Sequence, residues 1–314
     1  MISELEGSRG ALRGQRILVT GASGFLGSHL CLRLNEEGAD VYAVSRNTHE
    51  TEADQVHWLR GDLTDVAAVR RILTETKPHV IFHLSGLVTG VCGLELVLPT
   101  LHSLLVSTVN ILTIAVETGC GRVVLAGSLQ EPIPDHDEPT PGSPYAAAKW
   151  AGSAYGRMFS KLYGLPVVNL RIFMTYGPGQ EAGKLIPYVI LSLLRQRAPK
   201  LSSATWEGDW VYIDDVIRAL VAAAHVQGIA GTTIELGSGI LVSTRKIVEH
   251  ILELTRSRIA PEFGALPDRP LEHVRVANVV QTYRTLGWRP SISLIEGLQR
   301  TISGYAQTIK DGLA

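Results

Sequence analysis

The chain has 314 residues, more than one hydrophobic core usually holds, so its length favours a large α/β unit with a smaller companion. Its 29 basic and 30 acidic residues give a formal charge of -1, which argues against nucleic acid or a membrane surface as a partner. The three cysteines, Cys31, Cys92 and Cys120, have no Cys-x-x-Cys spacing. We therefore expect no disulfide framework, no metal site and a reducing, cytoplasmic location.

The sequence gives little indication of a targeting signal or a membrane span. Residues 1–13 contain no apolar run of the kind that a signal peptide needs. The apolar stretch 97–117 is interrupted by polar residues, which favours a buried or interface helix over a membrane span.

β-branched runs alternate with amphipathic stretches along the first half of the chain. The predicted strands are 16–20, 40–45, 79–84, 122–126 and 167–173, and the predicted helices between them are 28–37, 66–76, 101–118 and 144–163. This alternation predicts an α/β fold with a Rossmann-type, doubly wound parallel sheet. Later residues, with a helix at 185–195, a loop at 205–209 and a helix after Asp214, predict a smaller mixed α/β lobe.

The expected domains follow from that order. We assign 1–173 to a dinucleotide-binding domain, with 209–238 returning to it. We assign 174–208 and 239–314 to a C-terminal substrate-binding lobe.

A glycine-rich turn lies between the first strand and the first helix. Its sequence, residues 20–27, is Thr-Gly-Ala-Ser-Gly-Phe-Leu-Gly. Gly21 permits a tight turn, Gly24 lets backbone N–H groups approach a pyrophosphate, and Gly27 lets helix and strand pack closely. We expect a dinucleotide here, with further contacts from Ser23, Phe25 and Leu26.

The side chains at the end of the second strand should determine whether the protein prefers NAD(H) or NADP(H). It reads Ser45-Arg46-Asn47, with no carboxylate for the ribose hydroxyls, and Arg46 can bind a 2′-phosphate. We therefore expect NADP(H), the alternative being a solvated loop arginine. The other expected cofactor contacts lie further along the chain: Asp62, whose alternative role is a helix cap, and Leu63, Leu84, Ser85 and Gly86, of which Ser85 and Gly86 follow the third predicted strand.

Tyr145 and Lys149 are four residues apart at the start of a predicted helix, so their side chains share one face. A nearby ammonium favours the phenolate, and we expect Lys149 to bring the pKa of Tyr145 into the range of a proton shuttle. Ser128, at the end of a strand, can donate a hydrogen bond to a carbonyl oxygen. We take these three residues as catalytic, and Tyr145 and Lys149 also as cofactor contacts.

The glycine loop, Ser128, Tyr145 and Lys149 together resemble the extended short-chain dehydrogenase/reductase family. Residues 171–179 (RIFMTYGPG), 209–216 (DWVYIDDV) and 286–290 (LGWRP) are similar to later family segments. The resemblance implies a nucleotide-sugar substrate in the smaller lobe. It also implies a homodimer formed through the helices at 101–118 and 145–163.

Departures from the family pattern guide the choice of activity. Sugar-nucleotide 4,6-dehydratases have an Asp-Glu pair where this chain has Leu129-Gln130, and epimerases hold NAD tightly, which Arg46 disfavours. We therefore expect NADPH-dependent reduction of a keto-deoxysugar nucleotide, with Tyr145 as proton donor. The expected sugar is a 4-keto-6-deoxyhexose. The alternatives are an NAD-dependent 4-epimerase and a non-catalytic dinucleotide-binding sensor or assembly protein.

The substrate contacts are the least defined part of the expected site. Gly208-Asp209 stands where the family often has Arg-Asp, and Leu104 stands at a family asparagine position. Asp214-Asp215 is read as a helix cap in preference to a metal or acid pair. The expected substrate contacts are Ser128, Leu129, Gln130, Met174, which also replaces a family asparagine, Lys184 and Arg269.

Overall fold

The computed structural model describes residues 10–47, 56–133, 139–268 and 274–312. The chain divides into two compact units. The first consists of Met1–Ile172, Ile217–Glu235 and Val280–Trp288. The second consists of Phe173–Val216, Leu236–Val279 and Arg289–Ala314.

A seven-stranded sheet forms the centre of the first unit. Its strands are β1 (Arg16–Thr20), β2 (Asp40–Ser45), β3 (Val56–Arg60), β4 (Val80–His83), β5 (Arg122–Ser128), β6 (Val167–Ile172) and β9 (Thr233–Leu236). Their spatial order is β3-β2-β1-β4-β5-β6-β9, and the pairs from β3 through β6 are all parallel. The order reverses between β1 and β4, as in a doubly wound sheet. The predicted Rossmann-type fold class is confirmed.

Helices cover this sheet. They are α1 (Phe25–Glu36), α2 (Val66–Thr76), α3 (Leu94–Glu117), α4 (Pro144–Tyr163) and most of α6 (Ile213–His225). α4 begins as its sequence predicts: Ser143 Oγ accepts from Ala146 N, and Pro144 occupies the first turn. It ends at Gly164 in the left-handed conformation.

α3 is irregular. A 3-10 turn (Leu94–Leu96) and one α turn (Val97–Thr100) lead into a π-helical segment (Leu101–Val106) and then a regular helix (Ser107–Glu117). By length and composition, Leu94–Glu117 is the one helix among the described residues that could cross a membrane, and part of it is buried in the protein. A core helix passes the same test.

The second unit contains a three-stranded sheet of β7 (Met174–Tyr176), β8 (Glu207–Tyr212) and β10 (Leu241–Ser243). β8 is central, parallel to β7 and antiparallel to β10. Two helices of this unit, α7 (Thr244–Thr255) and α9 (Leu294–Lys310), begin with serine caps, and α5 is Leu185–Leu194. α8 (Val279–Leu286) lies between α7 and α9 in sequence, but all of it except Val279 belongs to the first unit.

The expected domain boundaries differ from these units at Phe173 and at residues 209–216, 236–238 and 280–288. Residues 209–212 lie in the second unit and not in the main sheet, because β8 pairs with β7 and β10. The expected loop at 205–209 is therefore partly strand. Val280–Trp288 joins the first unit, where Thr282 Oγ1 donates to Glu235 O at 2.7 Å.

Candidate active site

The glycine-rich turn has the shape that an anionic ligand needs. Gly21 has φ 68°, and a Cβ there would lie 2.8 Å from Ser85 N, while a Cβ on Gly27 would overlap the Gly21 carbonyl. α1 starts directly after Gly24; no described side chain caps it, and its first turn contains no acidic residue. Its first backbone N–H groups can therefore bind a pyrophosphate.

The loops after β1 and β4 are joined at the point where the strand order reverses. Thr20 Oγ1 accepts from Leu84 N at 3.2 Å and donates to Ser85 Oγ at 3.2 Å. His83 Nδ1 also bonds to Thr20 Oγ1 at 2.9 Å. The expected cofactor residues Ser85 and Gly21 thus lie side by side, where ligands of open α/β sheets bind.

Arg46 and Asp62 follow the ends of β2 and β3. Asp62 Oδ1 accepts from Thr64 N at 2.9 Å and Thr64 Oγ1 at 2.8 Å. These bonds lower the pKa of Asp62, and Arg46 lowers it further through its charge. The cap of α2 is Asp65, which accepts from Ala67 N, so the helix-cap alternative for Asp62 is wrong.

The proposed catalytic trio gathers at the end of β5. Ser128 is the last residue of β5, and Tyr145 lies in the first turn of α4; both are buried. The Ser128 side chain lowers the pKa of Tyr145 through hydrogen bonding, but burial dominates and raises it to about 12. The Tyr145 phenol is therefore neutral at neutral pH and suited to donate a proton.

Lys149 is anchored on the same strand. Its Nζ donates to the Ala126 carbonyl oxygen at 2.6 Å. Burial lowers its pKa from 10.5 to about 8, while Glu131 raises it. The expectation that Lys149 brings the Tyr145 pKa toward neutrality is wrong, because burial raises this pKa more than hydrogen bonding with Ser128 lowers it.

The irregular part of α3 packs against this trio. Leu104, in the π-helical segment, forms a small buried cluster with Tyr145 and Ala148. π-helical turns within α-helices are frequent at functional sites. An apolar leucine here supports the tyrosine ring by packing and offers no polar contact.

Two buried residues of this region were missed by sequence reasoning. His83 bonds to Thr20 through Nδ1 and to Thr108 Oγ1 through Nε2 at 3.1 Å, so it ties β4 to β1 and α3. Glu131 accepts from Ser128 N. The charge on a residue three positions after Ser128 was the one available signal for Glu131.

The remaining expected contacts fall in different places. Leu129 is buried and Gln130 half-buried, both directly after Ser128 in the first unit. Met174 in β7 and Lys184 at the start of α5 belong to the second unit, and Lys184 pairs with Glu181 at 3.8 Å. Arg269 lies outside the described residues.

Asp215, read as a helix cap, has a different structural task. Its carboxylate accepts from Ser291 N at 3.1 Å, Ser291 Oγ at 3.0 Å and Ile292 N at 3.0 Å. Asp214 pairs with Arg300. Across the described ranges, no group of three or more acidic, cysteine or histidine residues could hold a metal ion.

A Rossmann-type sheet with a glycine-lined helix start and a Ser-Tyr-Lys trio defines an extended short-chain dehydrogenase/reductase. The family model described as "NAD dependent epimerase/dehydratase family" matches residues 17–237. The chain belongs to this family, and the predicted resemblance is confirmed.

Relatives and solved structures agree. A UDP-glucose 4-epimerase of Mycolicibacterium smegmatis is 32% identical, over 92% of this chain and 98% of its own. A dTDP-glucose 4,6-dehydratase of the same organism is 31% identical, over 92% and 93%. The structure of MoeE5 in complex with UDP-glucose and NAD is 30% identical, with a TM-score of 0.84 over 93% of this chain and 99% of that one.

Proposed function

We propose that the chain is a nucleotide-sugar 4-epimerase that uses a bound dinucleotide. The observation that carries the proposal is the gathering of buried Ser128, buried Tyr145 and Lys149 at the end of β5, in the same unit as the glycine-lined start of α1. The similarity to a UDP-glucose 4-epimerase and to a protein that binds UDP-glucose with NAD supports this alternative over the expected ketoreductase.

Epimerisation needs a sugar hydroxyl to be oxidised to a ketone and the ketone to be reduced on its other face. A bound oxidised nicotinamide would supply the hydride acceptor and a positive charge beside the phenol, which favours phenolate. Tyr145 Oη takes the hydroxyl proton in the first half and returns it in the second. Ser128 stabilises the reacting sugar oxygen by a hydrogen bond. Lys149, whose ammonium donates to the Ala126 carbonyl, places its charge at the same end of β5 as Ser128 and Tyr145.

The residues after Ser128 disfavour elimination of water. A dehydratase of this family places an acid and a base there, whereas this chain has buried Leu129 and the amide Gln130. Neither side chain can exchange a proton at neutral pH. We therefore propose epimerase activity in preference to the dehydratase activity of the second relative.

The test is conversion without added reductant. Purified protein should interconvert a UDP-hexose and its C4 epimer, followed by NMR, with no net change in absorbance at the NADH wavelength. Tyr145→Phe should abolish conversion. Wild-type protein that converts no member of a panel of UDP-, dTDP-, GDP- and CDP-hexoses would contradict the proposal.

A second candidate rests on Arg46, which follows β2 where a carboxylate would suit NAD. It is the NADPH-dependent reduction of a keto-deoxysugar nucleotide, with the neutral Tyr145 phenol as proton donor. Stoichiometric NADPH consumption with a 4-keto-6-deoxyhexose nucleotide would favour it over the epimerase. An idle sensor or assembly protein is less compatible with an intact trio, and binding without any turnover would support it.

We further propose that the protein is a soluble, cytoplasmic homodimer. Large apolar side chains stand exposed at and just before the stretch 101–118 of α3, and on α4, which the family resemblance assigns to the contact; among them are Leu98, Leu101 and Leu162. Covering such a surface with a second copy removes it from water. Sedimentation equilibrium of wild type against Leu98→Glu tests this; a monomeric wild type would contradict it.

A further inference from the structure

A buried carboxylate closes the turn that carries the catalytic serine. Glu131 Oε1 accepts a hydrogen bond of 2.7 Å from Ser128 N, and Glu131 N donates to Ser128 O at 3.1 Å. Inside this turn Gln130 N donates to Ser128 Oγ at 3.2 Å. The position of the Ser128 hydroxyl therefore depends directly on Glu131.

The surroundings of Glu131 are shaped to hold a charge. Arg171 Nη2 lies 3.6 Å from Glu131 Oε2, and Arg171 Nη1 lies 3.2 Å from Glu235 Oε1. A Cβ on Gly127 would stand 2.5 Å from Glu131 Oε1, so the strand leaves room for the carboxylate by having glycine there. A buried carboxylate is tolerated only with such pairing.

Glu131 and Lys149 are bound to the same strand two residues apart. The ammonium bonds to Ala126 O and the carboxylate to Ser128 N, on the order of 7 Å along a strand that rises about 3.3 Å per residue. Opposite charges at this distance interact strongly when buried. Consistently, Glu131 raises the pKa of Lys149 against the lowering effect of burial, and it also raises that of Tyr145.

We propose that Glu131 is a positioning residue for the reaction: its carboxylate fixes the Ser128 turn and supplies the negative charge that keeps Lys149 an ammonium. This inference rests on the proposed function and adds a member to the same site. Glu131 contacts neither the sugar nor the nicotinamide in this proposal, and it acts through Ser128 and Lys149.

The charged and titratable groups around Glu131 come from several elements. α4 contributes Lys149 and Tyr145, β6 contributes Arg171, β9 contributes Glu235, and β4 contributes His83, whose ring feels the Lys149 charge. Glu131→Gln removes one negative charge from this set. It keeps an oxygen that can accept from Ser128 N.

The direct test measures the proton on Lys149 without any substrate. Protein labelled with 13C at lysine Cε is titrated by NMR, with Lys149 assigned by Lys149→Met. Glu131→Gln is expected to lower the Lys149 midpoint by about half a unit to one unit. Glu235→Gln, which removes a charge from the outer end of Arg171, should change it less. A folded Glu131→Gln protein with an unmoved midpoint overturns the proposal.

Two further variants separate charge from hydrogen bonding. Glu131→Asp keeps the charge on a shorter side chain, so it should keep the midpoint near that of wild type and lower kcat through Ser128. If Glu131→Gln does not fold, Arg171→Met leaves the Glu131 charge uncompensated and should raise the midpoint; an unchanged or lower midpoint there overturns the proposal.

Turnover supplies a separate readout. Once a substrate is established, the kcat profile of Glu131→Gln should move to lower pH, because Tyr145 and Lys149 both titrate lower, with dinucleotide affinity unchanged. A slower enzyme with an unmoved profile would mean a purely structural role and would overturn the proposal. Failure of the proposed function is distinguishable, because the NMR titration needs no turnover.

Discussion

The Lys149 ammonium donates a 2.6 Å hydrogen bond to the Ala126 carbonyl, two residues before Ser128 on β5. This bond fixes the ammonium to the strand. Because Tyr145 lies on the same face of α4 and its side chain interacts with that of Ser128, both side chains meet at the end of β5. β5, which lies between β4 and β6, therefore fixes the positions of Ser128 and Lys149.

Removing the phenol hydroxyl should leave these positions unchanged. Tyr145→Phe is expected to lower kcat by at least about 10²-fold, because proton transfer is lost. Dinucleotide affinity, measured by fluorescence titration, should stay within about threefold of wild type. Tyr163→Phe, at the exposed end of the same helix, is the matched control and should have wild-type turnover. A Tyr145→Phe enzyme of undiminished rate would remove Tyr145 from the mechanism.

Much of the fold followed from local sequence signals. The bounds of β1, β2 and α2 agree with those expected, because β-branched runs and cap residues mark them in the sequence. Ser143 and Gly164 likewise mark both ends of α4. The glycine loop and the Tyr-x-x-x-Lys spacing brought the main site residues to attention for the same reason: their chemistry is local.

What escaped prediction depends on contacts distant in sequence. β8 was taken partly as a loop, since its partners β7 and β10 are short strands from separate parts of the chain. The high pKa of Tyr145 follows from burial, which a helix spacing does not reveal. Glu131 is paired with Arg171, forty residues later, and only the folded sheet brings the two charges close.

Buried His83 should make stability sensitive to acid. Burial, with a smaller effect of Lys149, lowers its pKa from 6.5 to about 3. Between these values the unfolded chain binds a proton that the folded chain does not, so His83 favours folding above pH 6.5 and loses this as pH falls toward 3. The loss is about 1.4 kcal/mol per pH unit.

Urea unfolding between pH 7 and 4.5 measures this effect. His83→Gln should show a flatter dependence of the unfolding free energy on pH than wild type, whatever its stability at pH 7. His102→Gln replaces an exposed histidine and should retain the wild-type slope. Equal slopes in all three proteins would show that His83 does not carry the effect.

Arg46 should discriminate between the two nicotinamide cofactors. Its guanidinium can form charged hydrogen bonds to a 2′-phosphate, whereas NAD(H) offers only hydroxyls. Arg46→Ala is expected to weaken NADPH binding about tenfold more than NADH binding, since a charged bond contributes about 1.5–3 kcal/mol. Isothermal titration with both cofactors checks this, and an equal loss for both would show that Arg46 is a solvated loop residue.

A methyl group on Gly127 should damage the site through Glu131. A Cβ there would lie 2.5 Å from Glu131 Oε1 and 3.2 Å from Leu170 O, so the carboxylate must move away from Ser128 N. We expect Gly127→Ala to lose about 1–3 kcal/mol of stability, as overpacked buried sites do, and to lower kcat in the folded protein.

Gly152→Ala in α4 is the control, because its Cβ would meet only ordinary contacts at 3.7 Å and beyond. That variant should unfold at the same or a higher denaturant concentration, since alanine favours a helix. If Gly127→Ala matched it in both stability and rate, Glu131 could not be held where the structure shows it.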